Sequence, residues 1–443
     1  MAFPRCPTNV KKNLPMLLAI PLVHFLTFGQ TDPFFGVFLV DFKEKLGCSS
    51  AAIGMAHSVF LGFKYLLGPL PVILTNRFGS RLIIILGCTM MSSGLMLTSH
   101  ASKLWHVYIS HSLITGCGSC LVFQSVTYVI GHRFDKSASL YFALMYAGSS
   151  TGFFLTPLFC SAVRKWFGWQ GTILILGSIA MNSIPIAMIA YKVRRVKTTQ
   201  KYTSETGVDT LNDLVPSLRS QTEDGVDSQP EKIHTLSLFI KFPRLMIMII
   251  VRLLAEFGFS GFFVHFNASI IYKGFLDEDA AVVFFAFGIG SFVGRLGSPL
   301  PGYLGIISNY KLFTIALFVA GIAMFSFNVL MTLTSLVLSA LAIGLFIGLY
   351  STLFPVVMRS CVSMDRFKDA YSVVGIPAAF ACIFGGYAMG VVYDISGSYN
   401  VSLFIAGSCF LLSGSLMLMT DFFSKLKRKL FFNEITGLDT AVL

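Results

Sequence analysis

Charged side chains inside long apolar segments are the residues of this sequence that could do chemistry. Arg295 is the only charged residue in the stretch FAFGIGSFVGRLGSPL, which runs from 285 to 300. An Arg at the centre of a membrane helix costs about 2.5–3.5 kcal/mol, so it usually faces a polar cavity and has a partner there. Arg252 and Glu256 lie four residues apart in another apolar segment, which predicts that they neutralise each other on one helix face. An interior charge without such a neighbour is a candidate binding residue.

The composition indicates that these charges lie in a membrane protein. Of the 443 residues, 55% are hydrophobic and only 12% are charged, whereas about a quarter of the residues in a typical soluble domain are charged. The apolar residues also occur in long blocks. The nine Cys are scattered mostly through these blocks, which favours a packing role over a disulfide framework. We therefore expect an all-α polytopic membrane protein.

The apolar blocks have the length of membrane-spanning helices. A spanning helix needs about 20 mainly apolar residues, and this length predicts twelve spans in two six-helix halves. Spans 1 to 6 are predicted at 14–40, 51–74, 82–99, 105–131, 140–162 and 171–191. Spans 7 to 12 are predicted at 245–271, 280–303, 312–330, 335–358, 370–393 and 400–420. The predicted domains are an N-tail (1–13), a six-helix bundle (14–191), a linker (192–244), a second bundle (245–420) and a C-tail (421–443).

The distribution of basic residues predicts the orientation. Most of the 33 Lys and Arg lie in the two tails, in the linker and in the loops that follow even-numbered spans. Cytoplasmic loops carry this excess, so we expect both termini and the linker to be cytoplasmic. The tail segment SKLKRKLFF (424–432) is expected to lie against anionic lipid headgroups. Because the positive charge is dispersed over short loops, it is poorly explained by nucleic-acid binding.

The two halves of the chain repeat each other at an offset of 230 residues. Pro69-Leu70-Pro71 recurs as Pro299-Leu300-Pro301, and Asp135-Lys136 recurs as Asp365-Arg366. Both matches fall at equivalent places relative to the spans. A duplicated six-helix unit with a cytoplasmic linker is the plan of major facilitator carriers, whose site lies between the halves near the middle of the membrane.

Several longer motifs narrow the resemblance to one family. They are FGWQG (167–171) before span 6, LFPVVMRSCVSMDRFKDAYSVVG (353–375) around the end of span 10, and GVFLVDF (36–42) at the end of span 1. In combination they resemble the monocarboxylate transporters of the major facilitator superfamily. The opening of span 1, NLPMLLAIPLVHF (13–25), departs from that family's pattern. The chain is therefore identified as a divergent member, and the resemblance implies the major facilitator fold and transport by alternating access.

The resemblance also implies site residues. Arg295 stands where the family has its substrate-site arginine in span 8, whose planar fork of donors suits a carboxylate. Ser291, one helical turn earlier, stands where lactate carriers have an aspartate that takes part in proton coupling. Pro33 stands where those carriers have a lysine in span 1. Ser351 aligns near a serine of the family's site, although a helix-packing role is the alternative.

Two further charges are candidates to replace those that the lactate carriers have and this chain lacks. Lys64 in span 2 aligns close to positions that line the family's cavity, and Asp32 directly precedes Pro33. We expect Asp32, Lys64 and Arg295 to form a rearranged site with two cations for an anion and one carboxylate. The alternative for Lys64 is a side chain that extends to the outer surface. The alternative for Asp32 is that Asp32-Pro33 ends or kinks the first helix.

The sequence therefore predicts a secondary transporter in the plasma membrane that moves small monocarboxylates or related organic anions. A facilitator for zwitterionic or amphipathic solutes, such as aromatic amino acids or creatine-like compounds, is a second possibility. A non-transporting sensor is a third. Candidate partners are the organic anion, protons, a single-span accessory protein and membrane lipid. No enzymatic constellation, metal site or cofactor motif stands out, so neither catalysis nor a cofactor is expected.

Overall fold

The computed structural model describes residues 10–133, 138–191, 243–362 and 367–439, and every regular element in these ranges is helical. Within them, nine helices are long and apolar enough to cross a membrane, or ten if the bent pair in span 2 counts as one span. The long helical stretch from 138 to 189 covers two of the predicted spans, and span 1 is broken into shorter helices. The predicted number of twelve is consistent with this arrangement. Nearly all of the predicted linker lies outside the described residues.

The first half, containing spans 1 to 6, begins with the broken helix of span 1. Its parts are Val10–Leu26, Phe28–Thr31 and Phe34–Leu46. Span 2 comprises Ser50–Leu66 and Pro69–Phe78, and span 3 is Ser80–Thr98. Span 4 comprises Leu104–Val107, a π-helical segment Tyr108–Thr115, and Gly116–Arg133. Spans 5 and 6 form Ala138–Met181 and Ser183–Ala190. The expected loop between spans 5 and 6 is only a sharp break at Gly168, whose φ of 65° is readily adopted because glycine has no Cβ.

The second half, containing spans 7 to 12, has longer continuous helices. Span 7 is Pro243–Tyr272, and span 8 comprises Asp277–Gly297 and the short helix Leu300–Tyr303. Spans 9 to 12 are Asn309–Val329, Leu333–Arg359, Phe367–Ser396 and Tyr399–Asp439. The last helix continues through most of the predicted C-tail.

The repeated Pro-Leu-Pro motif marks equivalent breaks in the two halves. In span 2 the helix bends by 50° between Leu66 and Leu70. In span 8 the helix ends at Gly297, and a short helix begins at Leu300. Proline lacks the backbone N–H that would continue a helical hydrogen-bond ladder, so the same motif interrupts both helices at the same place. The sequence repeat therefore corresponds to a repeat in structure.

The two most extensive contacts between the halves are those of span 2 along span 11 and of span 5 along span 8. Glycines allow the close approach at both. A Cβ on Gly54 would lie 2.6 Å from the carbonyl oxygen of Gly386, and a Cβ on Gly288 would lie 2.5 Å from the backbone nitrogen of Phe154. A side chain at either glycine would push the two halves apart.

The loops that follow the odd-numbered spans form one end of the bundle, which we call the outer end because the predicted orientation places it outside the cell. An Arg164 Nη atom lies 2.6 Å from Asp41 Oδ2, and the other Nη lies 3.6 Å from Asp277 Oδ2. Across the span 2–span 11 crossing, the backbone N–H of Ala51 donates to Asp394 Oδ2 at 3.0 Å. The two halves are thus joined by polar contacts at the outer end.

Candidate functional site

A buried cavity of about 60 Å³ lies between the two halves. Side chains from spans 1, 2, 4 and 5 of the first half and from spans 7, 8 and 10 of the second half line it. Its charged residues are Asp32, Lys64, Arg252, Glu256 and Arg295. A water needs roughly 10–15 Å³ of such space, so the cavity has room for roughly four to six waters or a small solute.

Lys64 and Asp32 form an ion pair on the first-half wall of the cavity. Lys64 Nζ lies 2.9 Å from Asp32 Oδ1 and 3.2 Å from Oδ2, and the ammonium also lies 4.6 Å from the ring centre of Phe28. Only 6% of the Lys64 residue is exposed, so the alternative in which this side chain extends to the outer surface is wrong.

Asp32 is brought to the cavity by the break in span 1. It is the C-cap of Phe28–Thr31, and Pro33 is the N-cap of Phe34–Leu46. The helix does break at Asp32-Pro33, and the break turns the carboxylate toward Lys64, so the break and the contact with Lys64 do not exclude each other. Pro33 has no charge to contribute where the resemblance places a lysine.

Arg295 lies in the cavity with neutral partners. One Nη donates to the Tyr146 carbonyl oxygen at 2.7 Å, across the interface between the halves, and Nε donates to Ser351 Oγ at 3.3 Å. The guanidinium lies 5.3 Å from the ring centre of Phe153, and 5% of the residue is exposed. In the described part of the chain no carboxylate lies within ion-pair distance of it. Ser351 is thus found beside Arg295, and it also lines the cavity.

Ser291 does not line the cavity, which corrects its assignment as a substrate-binding residue. It is fully buried in the crossing of spans 8 and 5, where its Oγ lies 3.1 Å from Ser150 Oγ. One turn of helix separates Ser291 from Arg295, yet the packing of span 5 against that face covers the shorter side chain. Its hydroxyl joins two helices instead.

Arg252 and Glu256 form the predicted pair, with an Nη–Oε1 distance of 2.8 Å. Their spacing of four residues predicted the ion pair. It did not indicate that both residues line the central cavity. The guanidinium lies 4.5 Å from the ring centre of Phe354, and Glu256 Oε2 lies 3.6 Å from Cys382 Sγ. Both residues are buried, so the pair is shielded from solvent.

The charges of the cavity leave one cation without an ionic partner. Asp32 is paired with Lys64 and Glu256 with Arg252, so among the five charged lining residues only Arg295 lacks a carboxylate partner. The lining therefore carries a formal excess of one positive charge. A buried charge of this kind is costly unless something of opposite sign pairs with it.

Two histidines of the lining were not predicted to be site residues. His24 and His57 lie on the first-half wall. In the sequence the interior histidines do not cluster at metal-ligand spacing, so the pattern predicts satisfied polar residues rather than site residues. Their place in the cavity follows only from how spans 1 and 2 pack.

Comparison with known proteins points to a transporter fold. The family model described as Major Facilitator Superfamily matches residues 22–375. Monocarboxylate transporter 2 of Homo sapiens is 26% identical over 412 residues, which cover 86% of this chain and 80% of that protein. Monocarboxylate transporter 12 of Mus musculus is 24% identical over 403 residues, which cover 88% of this chain and 82% of that protein. Monocarboxylate transporter 4 of Mus musculus is 25% identical over 405 residues, which cover 89% of this chain and 80% of that protein. These matches confirm the resemblance drawn from the sequence motifs, and the relatives are transporters rather than enzymes.

Proposed function

Because the chain belongs to the Major Facilitator Superfamily and is a multi-pass membrane transporter, we propose that it moves small monocarboxylates or related organic anions by alternating access. The observation that carries this proposal is Arg295, the cavity cation without a carboxylate partner among the described residues. A solute carboxylate would accept from the guanidinium and neutralise the excess charge of the lining. The names of the relatives, all monocarboxylate transporters, support the same substrate class.

The size of the cavity supports a small solute. Space for roughly four to six waters corresponds to roughly as many non-hydrogen atoms, which is the size of a three- or four-carbon acid. Aromatic rings from both halves, including Phe123, Phe153 and Phe263, cover the apolar part of this space. They would bury the hydrocarbon portion of the solute while Arg295 holds its carboxylate.

The paired carboxylates count against the alternative zwitterionic solutes. An amino acid or a creatine-like compound brings a cationic group that needs a free acceptor. Asp32 and Glu256 are both occupied by cations on the cavity wall, so a zwitterion would have to displace Lys64 or Arg252. A simple anion requires no such exchange.

We propose that proton coupling is weaker than in lactate carriers. Ser291 cannot hold a proton as an aspartate does, and Asp32 is the candidate carboxylate to replace it. Asp32 already accepts two contacts from Lys64, so its carboxylate is engaged in an ion pair within the cavity wall. Uptake with and without a pH gradient measures the coupling directly.

The proposed setting is the plasma membrane, with both termini and the linker on the cytoplasmic side and with a single-span accessory protein as a candidate partner. The excess of Lys and Arg in the tails and in the loops after even-numbered spans supports this orientation.

Uptake by Arg295 variants tests the proposed function. We expect Arg295→Ala to remove nearly all uptake of radiolabelled short-chain acids, since the charge that pairs with the carboxylate is lost. Arg295→Lys keeps the charge but not the bidentate fork, so it should raise the half-saturation concentration about tenfold and leave some transport. Uptake is normalised to the amount of protein at the cell surface.

The matched control is Lys311→Ala, which removes an exposed cation from the same half and should transport normally. Normal uptake by Arg295→Ala would overturn the anion proposal. Wild-type protein that reaches the surface and transports none of a panel of acids and amino acids would instead support a sensor.

A further inference from the structure

His57 is a buried side chain that lines the cavity and whose ring nitrogens have no hydrogen-bond partner among the described residues. It lies on span 2 and is 1% exposed. In the part of the chain that the structure describes, neither ring nitrogen forms a hydrogen bond. The surroundings of the ring are aromatic: the ring centres of Phe35, Phe60 and Phe263 lie 5.4, 6.2 and 6.3 Å from that of His57.

A neutral imidazole always carries one N–H donor and one bare nitrogen, whichever tautomer it adopts. A buried donor without an acceptor costs free energy that a hydrogen bond to a bound molecule would recover. Because aromatic rings cover the sides of His57, the cavity is where such an acceptor can lie. The residue therefore has the properties of a contact to the transported solute.

Two other histidines show why His57 is distinctive. His24 also lines the cavity, but its Nδ1 donates to the Ile20 carbonyl oxygen at 3.0 Å, which leaves only a bare Nε2. His111 has no hydrogen-bond partner among the described residues, yet it does not line the cavity and stacks on Phe34 with ring centres 4.0 Å apart. Of the three, only His57 both lines the cavity and has two ring nitrogens without a hydrogen-bond partner among the described residues.

The following inference rests on the proposed function. We propose that His57 is a specificity-determining residue and that its N–H donates a hydrogen bond to a solute oxygen outside the carboxylate. Arg295 belongs to the second half and His57 to the first, so a solute with a carboxylate and a second oxygen would be held from both halves. The site would then favour acids that carry an oxo or hydroxyl group over unsubstituted acids of the same length. A site built to hydrogen-bond a solute oxygen discriminates against an analogue that lacks it, because the buried donor is then left unpaired.

The test compares the uptake of three four-carbon acids: 2-oxobutyrate, 3-hydroxybutyrate and butyrate. In His57→Phe we expect the uptake efficiency of at least one oxygenated acid to fall about tenfold relative to butyrate, because the donor is removed. Butyrate is the reference solute, because it has no second oxygen to accept a hydrogen bond from His57. His57→Gln keeps an N–H donor and should recover part of the preference.

The matched control is His111→Phe. It removes another buried imidazole without hydrogen-bond partners among the described residues, but one that lies outside the cavity, and it should leave all three uptake rates unchanged.

Four outcomes would count against the proposals. An equal loss of uptake for all three acids in both His57→Phe and His57→Gln, at normal surface levels, would mean a structural role and overturn the inference. An unchanged preference in His57→Phe would also overturn it. If wild-type protein transports none of the three acids, the proposed function fails first. If wild-type uptake of all three depends on Arg295 but shows no preference, only the role of His57 is refuted.

Discussion

Lys64, Arg252 and Arg295 place three cations in one low-dielectric cavity, and each is stabilised differently. Lys64 pairs with Asp32 across two helices, Arg252 pairs with Glu256 on its own helix, and Arg295 donates to a backbone carbonyl and a serine. The first two arrangements cancel charge. The third satisfies hydrogen bonds but leaves the positive charge, and that difference makes Arg295 the residue that attracts an anion.

Removing Lys64 tests whether the excess charge of the cavity matters. Lys64→Met leaves Asp32 buried without its cation and lowers the formal charge of the lining to zero. We expect the half-saturation concentration for a short-chain acid to rise about tenfold, because an unpaired buried carboxylate repels the anion and competes for Arg295. The measurement is uptake as a function of acid concentration at equal surface expression.

The double variant Lys64→Met/Asp32→Asn is the control, because it restores the excess of one positive charge. It should recover most of the lost affinity. If the double variant is as impaired as Lys64→Met alone, the pair does more than balance charge, for example by contacting the solute directly.

At the scale of helices, the contacts at the outer end differ in how far they are shielded from water. The Arg164 side chain is 24% exposed and contacts both Asp41 of its own half (17% exposed) and Asp277 of the second half (55% exposed), whereas those of Lys165 and Glu278 are 67% and 73% exposed. Both basic residues belong to span 5 and contact the beginning of span 8. An exposed ion pair contributes only about 0–1 kcal/mol. Because Asp41 holds the half-buried Arg164 guanidinium where it also reaches Asp277, Arg164 should hold the outer ends together more strongly than the exposed Lys165.

We expect Arg164→Ala to open the outer end more often. Ser149→Cys, made in a background without the nine native cysteines, reports on access to the cavity because Ser149 lines it. A membrane-impermeant thiol reagent added from outside should label this cysteine roughly tenfold faster when Arg164 is replaced, since charge-assisted hydrogen bonds at the outer end are lost. Lys165→Ala should change the labelling rate little. Equal effects of the two variants would show that burial does not distinguish these contacts.

At the scale of the whole molecule, the site lies between two halves that are related by the 230-residue repeat. The equivalent breaks at the Pro-Leu-Pro motifs lie on spans 2 and 8, and these spans carry Lys64 and Arg295. In the numbering of the repeat, Lys64 corresponds to Gly294, one residue before Arg295. A duplicated unit thus brings a cation to the cavity from each half.

The orientation of the whole chain gives a further prediction. With an even number of spans, epitope tags at both termini should be inaccessible to antibody in intact cells and accessible after permeabilisation. The physical reason is the excess of Lys and Arg in the tails and in the loops after even-numbered spans, which resists translocation. A tag on the short loop after span 3, near Lys103, should be accessible without permeabilisation. One accessible and one inaccessible terminus would require an odd number of spans.

Most of the fold could be predicted from the sequence, because the lipid bilayer allows few backbone structures. Every backbone polar group in lipid must be satisfied within a helix, so long apolar segments identify the helices directly. The repeat of Pro69 and Pro299 predicted the duplicated unit and corresponds to equivalent breaks. Spans 5 and 6 are separated where the sequence predicted, between residues 162 and 171, but the separation is a single break at Gly168 with positive φ inside one long helical stretch.

The sequence by itself placed Arg295 inside an apolar helix and predicted the Arg252–Glu256 pair, because these are properties of composition and of one helix. Only the tertiary structure decided which of the charges share a cavity. Asp32 and Lys64 are 32 residues apart on different helices, and their contact depends on the break at Asp32-Pro33 and on how spans 1 and 2 pack. Ser291 and Arg295 lie on neighbouring turns of one helix, yet packing against span 5 buries Ser291 in the helix crossing while Arg295 faces the cavity. Side-chain direction at a helix interface is set by the neighbouring helices, and this information lies far away in the sequence.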